Sequence, residues 1–370
     1  MAKILIIYEP VSQKWLIGKL IETMQARGLD IDAFNLRYQF LHSGRKVSHL
    51  TKLVASIPKN RTTVFLLRKL LYNAILKSVQ KDFDAIDVHY FSDTYVRFLK
   101  KMGKPYKITT WGSDFYRESQ KCLEKKRSVY LNAKNIQVET STVMKDMVAY
   151  EPGLKEKIRI CNFGVDILNE IDQLLSRGYS EKLIKCPKDT TIVTCGYNGT
   201  IAQQHLMILE QIKNLDDDIK RRIYLCIPAT YGLTDSYEAD LEVKLKEIGV
   251  KYVIIKNRLS EIDLAKLRLE TDVVINMQTS DSLSSSLLQH LYAGNVLLLG
   301  DWLPQDTYKE YGIHYRTVTE NNLTETLAKV LRNLFLEKME YKDNHDKIGT
   351  FATWDSVSTR QLEIYQELLT

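Results

Sequence analysis

Short apolar runs of strand length recur along nearly the whole chain, each followed by a stretch with helical spacing. This alternation restricts the fold more than any other feature of the sequence. Lys3–Tyr8 opens the series as a strand, and Gln13–Arg27 follows as a helix that stops at Gly28. Strands are then expected at Asp32–Asn35, Ala85–His89, Lys107–Thr110, Asn135–Glu139 and Ile158–Cys161, with helices at Thr94–Met102, Arg117–Tyr130 and Thr142–Ala149. A second series starts at Thr191–Cys195 and runs through Tyr224–Ile227, Val253–Ile255, Val273–Asn276, Val296–Leu299 and Tyr315–Val318. The polar stretch Asp166–Lys188 reads as a helical linker, and Phe351–Thr370 as a final helix. The expected class is α/β: two Rossmann-like doubly wound parallel-sheet domains facing a cleft, over residues 1–166 and 167–352, with the ligand between them.

A length of 370 residues allows two real cores. No apolar run reaches membrane-spanning length, and Met1–Tyr8 is too short for a signal peptide and lacks a cleavage pattern. Cys122, Cys161, Cys186, Cys195 and Cys226 are odd in number and show no CxxC spacing. That pattern argues for reduced thiols in a cytosolic setting and against a zinc site or a disulfide framework.

The net charge of +6 is modest, but its placement is uneven. No acidic residue falls between Asp32 and Asp82, whereas Arg37, Arg45, Lys46, Lys52, Lys59, Arg61, Arg68, Lys69, Lys77 and Lys81 do. The same segment holds the apolar set Val64–Leu67, Leu70, Leu71 and Ile75. Basic residues interleaved with an apolar helical pattern suit an anionic membrane surface, and the plain alternative is a solvated helix face. The contact is placed at residues 44–81. Few aromatics stand there and no nucleic-acid module is legible, so nucleic acid is not an expected partner.

Four loops follow predicted strands at the ends where ligands bind in open α/β sheets. Thr109-Thr-Trp-Gly-Ser-Asp114 presents Asp114 at a strand tip, either to contact a ligand or to cap the next helix. Phe163-Gly-Val-Asp166 turns at Gly164 just before the linker. Cys195-Gly-Tyr-Asn-Gly199 lets backbone amides approach a ligand at Gly196, Asn198 and Gly199, and is followed by Gln203, Gln204 and His205. His205 reads as a partly buried structural residue or as a phosphate or sugar contact. The fourth loop, Asp281–Gly294, opens a helix with Ser284, Ser285 and Ser286 in its first turn. A helix start presents free N–H groups and the positive end of a dipole, a ready anion site; a capped helix is the bland alternative. Leu287, Leu288, Leu291 and Tyr292 fall on a buried stripe, while Asp281 and Gln289 bracket the start. No Ser–His–Asp set, HExxH or P-loop is present, and the paired aspartates (Asp30 and Asp32, Asp82 and Asp84, Asp216–Asp218) end no predicted strand.

Together these loops resemble the GT-B glycosyltransferases, most closely the family-4 group of the bacterial surface-polysaccharide type. Phe163-Gly-Val-Asp166 is similar to that group's Asn-Gly-Val-Asp turn, and Phe83–His89 to its strand before the cleft. Trp354-Asp-Ser-Val with Tyr365 resembles its closing helix, which implies that 353–370 crosses back to the first domain. Asp281 and Gln289 stand at the spacing of the group's Glu-x7-Glu signature, and Gly294 where that helix ends. Both glutamates are replaced, and the Arg and Lys common after the first strand of the second domain are missing. The loop there resembles instead the Gly-Asn-Ser-Gly and Asn-His arrangement of bacterial enzymes that add 4-acetamido-4,6-dideoxygalactose to a lipid-linked intermediate.

The resemblance implies transfer of a sugar from a nucleotide-diphosphate sugar to a lipid-linked or glycan acceptor. The reaction would use no metal or other cofactor and retain the anomer, at the cytoplasmic face of the cell membrane with peripheral attachment. Asp281 would accept from sugar hydroxyls and Gln289 would bond the ribose. Amides near Ser284–Ser286, with Lys256 or Arg258, would meet the charge of the departing diphosphate. Asp114 is the candidate for the acceptor hydroxyl, as general base or as an orienting group. Two other readings of the same fold are a nucleotide-sugar epimerase and a non-catalytic partner of a glycosyltransferase.

Overall fold

The computed structural model describes residues 2–9, 14–36, 40–43, 72–179, 181–281 and 283–370. Arg61, Arg68, Lys69 and the rest of 44–71, expected to face a membrane, lie outside the described residues. Two compact units are present: Met1–Gly164 with Trp354–Thr370, and Val165–Thr353. Among the described residues no helix is long and apolar enough to cross a membrane.

The first unit is built on β1 (Lys3–Tyr8), β2 (Asp30–Asn35), β3 (Phe40–Leu41), β4 (Ala85–His89), β5 (Tyr106–Thr109), β6 (Asn135–Val138) and β7 (Ile158–Ile160). They form one sheet in the order β3-β2-β1-β4-β5-β6-β7, parallel throughout except for the two-residue β3, which runs antiparallel to β2. Ile4 to Ile7 are fully buried because helices cover both faces of a parallel sheet. Polar groups at the middle of this sheet are bonded to one another. Asp87 Oδ2 accepts from Lys107 Nζ at 2.7 Å and from the Tyr365 hydroxyl at 2.8 Å, and lies 3.0 Å from His89 Nε2. Tyr365 belongs to the helix Trp354–Leu369, which is tied to the same sheet by Asn135 donating to Ile364 O and by Gln361 donating to Gln137. At its start a Cβ on Gly164 would come within 2.4 Å of Trp354 Cγ, so only glycine fits there.

The second unit carries β8 (Thr191–Cys195), β9 (Ile223–Pro228), β10 (Lys251–Ile255), β11 (Val273–Asn276), β12 (Val296–Gly300) and β13 (Arg316–Val318). Their order is β10-β9-β8-β11-β12-β13, and every pairing is parallel. The polar stretch after Asp166 is the helix Ile167–Arg177, whose Leu168 and Ile171 enter the core. Both sheets reverse strand order once, at β1/β4 and at β8/β11. In open α/β sheets ligands bind outside the carboxyl ends of the strands at that reversal. Among the described residues β3 is the one strand that was not expected, since two residues are too few to show a period.

Candidate functional site

The second unit brings two of the four predicted loops together at the reversal between β8 and β11. Gly196 continues β8 with φ +65, and its N–H donates to Ile275 O at 2.9 Å. A Cβ there would meet Gln203 Oε1 at 2.6 Å and His205 Nε2 at 2.9 Å, which leaves room only for glycine. Gly199 is equally confined, since a Cβ would reach Leu233 Cβ at 2.6 Å. Asn198 folds the loop on itself: Oδ1 accepts from the Thr200 N–H at 2.9 Å and hydroxyl at 2.7 Å, while Nδ2 donates to the Tyr231 hydroxyl at 3.3 Å.

The loop after β11 is stitched to this turn. Tyr197 N donates to Gln203 Oε1 at 3.0 Å, Gln203 donates to Gln278, and Gln278 Nε2 donates to the Tyr197 hydroxyl at 2.9 Å. That hydroxyl donates in turn to Asp281 Oδ2 at 3.2 Å. Gln204 holds a left-handed φ of 56 and donates to Met277 O, and Trp302 Nε1 donates to Gln278 O at 2.8 Å. A strained non-glycine backbone that several bonds hold in place is usual at ligand sites. Asp281 is thus positioned by Tyr197 in the loop ahead of the helix.

The helix itself is Ser285–Tyr292, with Ser284 at its N-cap. The Ser284 side chain does not cap it, so the first-turn N–H groups receive no acceptor from that residue. The stripe Leu287, Leu288, Leu291 and Tyr292 is buried as its spacing predicts, and the helix ends before Gly294 at φ +81. Gln289 is 7% exposed and accepts from Arg268 Nε at 3.1 Å.

His205, expected to be partly buried, is wholly so. Its Nδ1 lies 3.3 Å from the Tyr237 hydroxyl. Burial pulls its pKa down to about 4, so it is neutral near pH 7. Arg258 is exposed on the loop after β10, two strands from the reversal, and Lys256 beside it is paired with Glu238 at 2.7 Å. The reversal therefore gathers Gly196, Asn198, Gly199, Gln204, His205, Asp281 and Ser284–Ser286, and leaves Arg258 at its margin. A separate cavity of about 660 Å³ opens at the other end of the sheet, between Lys185, Tyr224, Gly249 and Lys251, and includes none of these residues.

In the first unit Asp114 is 1% exposed rather than presented at the strand tip. Its Oδ1 accepts from Trp111 N at 2.8 Å and its Oδ2 from Phe91 N at 2.7 Å, which joins the turns after β5 and β4. The turn after β4 passes through Tyr90 at φ +59, a strained conformation that this bond helps to hold. Burial raises the Asp114 carboxyl above its usual range despite these two donors. Glu139, just past β6, is pushed up to about 7 by burial and by the neighbouring Asp114 charge. Trp111 stacks on Phe163 at 5.2 Å, and His89 lies 5.8 Å from Phe163, with its Nδ1 buried and unpartnered.

Gln278, Trp302, Glu139 and Arg268 were not singled out from the sequence. Only Arg268 carries a local signal, a cation among Leu264, Ala265 and Leu267 in an amphipathic helix. Among the described residues no group of three His, Cys, Asp or Glu is placed to hold a metal ion.

No protein-family model matches the sequence, and neither does any curated protein. Solved structures do match over the full length. A glycosyltransferase from Rickettsia africae is 14% identical with TM-score 0.72, covering 100% of this chain and 99% of that one. The fold is that of the GT-B glycosyltransferases. Sucrose-phosphate synthase from Thermosynechococcus elongatus is 10% identical with TM-score 0.68, covering 100% and 99%. Anabaena HepE in complex with UDP and glucose is 10% identical with TM-score 0.64, covering 99% and 100%.

Proposed function

We propose that the protein is a GT-B glycosyltransferase of family-4-like type, moving a hexose or related sugar from a nucleotide-diphosphate sugar to a lipid-linked or glycan acceptor. The carrying observation is the β8/β11 reversal, where confined glycine turns and the start of Ser285–Tyr292, which the Ser284 side chain does not cap, bring backbone N–H groups to the end of the sheet where Asp281 lies. Departure of a nucleoside diphosphate develops negative charge, and oriented N–H groups stabilise it without a proton transfer. Asp281 accepts from sugar hydroxyls, whereas Gln289, expected at the ribose, is 7% exposed with its Oε1 taken by Arg268 Nε. Solved structures of HepE with UDP and with UDP-glucose share the fold and support this class of donor.

The finer reading is retention of the anomer without a metal, in bacterial surface-polysaccharide assembly on the cytoplasmic face of the membrane. The acid-free basic segment 44–81 supports the membrane side of it. Neutralising Arg61, Arg68 and Lys69 together is expected to reduce sedimentation with anionic vesicles; unchanged sedimentation returns the segment to a solvated face.

A thermal-shift titration with UDP, GDP, dTDP and CMP, each with and without magnesium, tests the donor reading. Stabilisation by one diphosphate at equal strength in both series is expected. No shift with any of them would make the non-catalytic partner the better reading, and an epimerised free sugar nucleotide would make the protein an epimerase.

A further inference from the structure

The loop after β8 brings no cation to a donor diphosphate, yet a buried one lies behind the helix start. Arg268, near the end of the helix Glu261–Glu270, is 4% exposed. Its Nη2 donates to Ser286 Oγ at 2.8 Å, its Nε donates to Gln289 Oε1 at 3.1 Å, and its Nη1 lies 2.8 Å from His290 Nε2. Positions 286, 289 and 290 share one helical face, so the guanidinium lies along the first two turns of Ser285–Tyr292.

No carboxylate among the described residues pairs with Arg268. Glu270, the acid nearest in sequence, accepts instead from the N–H groups of Leu183 and Ile184, both at 2.8 Å. Burial and the Arg268 charge keep His290 neutral, so the positive charge stays on the guanidinium. A buried cation without a counter-ion is costly, and a cation beside the positive end of a helix is on the unfavourable side of the dipole. Both costs are relieved when an anion occupies the helix start. A fully buried polar atom at the same reversal, Asn276 Oδ1, also has no partner among the described residues.

We propose that Arg268 is the positioning cation for the donor diphosphate, acting from beneath the first turn of Ser285–Tyr292, and that an amide at position 289 keeps its charge uncompensated. A glutamate at 289 would take the same Nε–H, form a buried ion pair and cancel the field that the diphosphate meets. The missing loop cations and the amide at 289 are then two halves of one arrangement. This inference rests on the nucleotide-sugar reading.

The test is calorimetry on the full chain with whichever of UDP, GDP and dTDP binds, and with the corresponding nucleoside. In Gln289→Glu the diphosphate affinity is expected to fall about tenfold, the scale of one charge at partly buried depth, with nucleoside affinity changed less than about threefold. The thermal midpoint of the unliganded variant should rise, because the buried cation has gained a partner. Arg268→Lys should hold the diphosphate affinity within about threefold, whereas Arg268→Met should lose it as Gln289→Glu does. Unchanged diphosphate affinity in folded Gln289→Glu overturns the proposal, as does an equal loss for the nucleoside. If the unmodified protein binds none of the three diphosphates, the nucleotide-sugar reading fails and the proposal with it.

Discussion

The Tyr365 hydroxyl donates to Asp87 Oδ2 at 2.8 Å across 278 residues of chain, deep inside the first sheet. Burial alone would raise the Asp87 carboxyl, but Lys107 and His89 beside it outweigh that and hold it well below the usual range. Asp87 is therefore ionised, and its oxygens depend on buried donors. Tyr365→Phe is expected to cost about 1–3 kcal/mol, the scale of one lost buried bond to a charge. Lys107→Met, which strands the carboxylate, should cost about 3–5 kcal/mol. Urea unfolding of the two variants checks the order; a Tyr365→Phe midpoint equal to that of the unmodified protein would show the bond to be incidental.

The three buried histidines should contribute stability that is lost as pH drops from about 6.5 towards 4, whereas Glu139, pushed up to about 7, contributes in the opposite direction. Burial pulls His205 down to about 4 and holds His89 and His290 below their usual value as well. At these histidines the unfolded chain binds protons that the folded chain refuses, so their contribution to stability rises with pH across the window. His205 alone accounts for about 3 kcal/mol of the change. Replacing His205 by Asn should shift the pH slope of the urea midpoint downward through the window relative to the unmodified protein; an unchanged slope would show that His205 does not carry this contribution.

Gly196→Ala tests the confined turn. The added methyl meets Gln203 and His205 and occupies a left-handed backbone. A cost of about 1–2 kcal/mol is expected from backbone strain and displacement. Nucleoside-diphosphate affinity should fall in the same variant by about tenfold or more, since the amides move with the turn. Affinity retained in full would place the ligand elsewhere.

Asp114→Asn is expected to lower turnover of the proposed transfer at least about a hundredfold with donor binding intact. Its two backbone donors predict an accompanying loss of stability of about 1–3 kcal/mol. Near-normal turnover in Asp114→Asn removes that carboxyl from the chemistry.

The α/β class, the strands and the paired-sheet plan are legible in the sequence, because each rests on local periodicity. Val273–Asn276 is apolar enough to be a buried strand wherever it lies, and Gly196 marks a turn whatever faces it. The positions of the loops after β8 and β11 were also legible, since they follow strands directly. Their pairing into one site needed the strand order, which brings Tyr197 within reach of Gln278 and Asp281. Tertiary structure alone decided that Asp114 is a clamp between two turns, that Arg258 stands two strands from the reversal, and that Arg268 lies under the helix start. Those facts depend on which side chains meet after distant segments pack, and an isolated arginine or aspartate has the same local preferences whether it ends up in water or in the core.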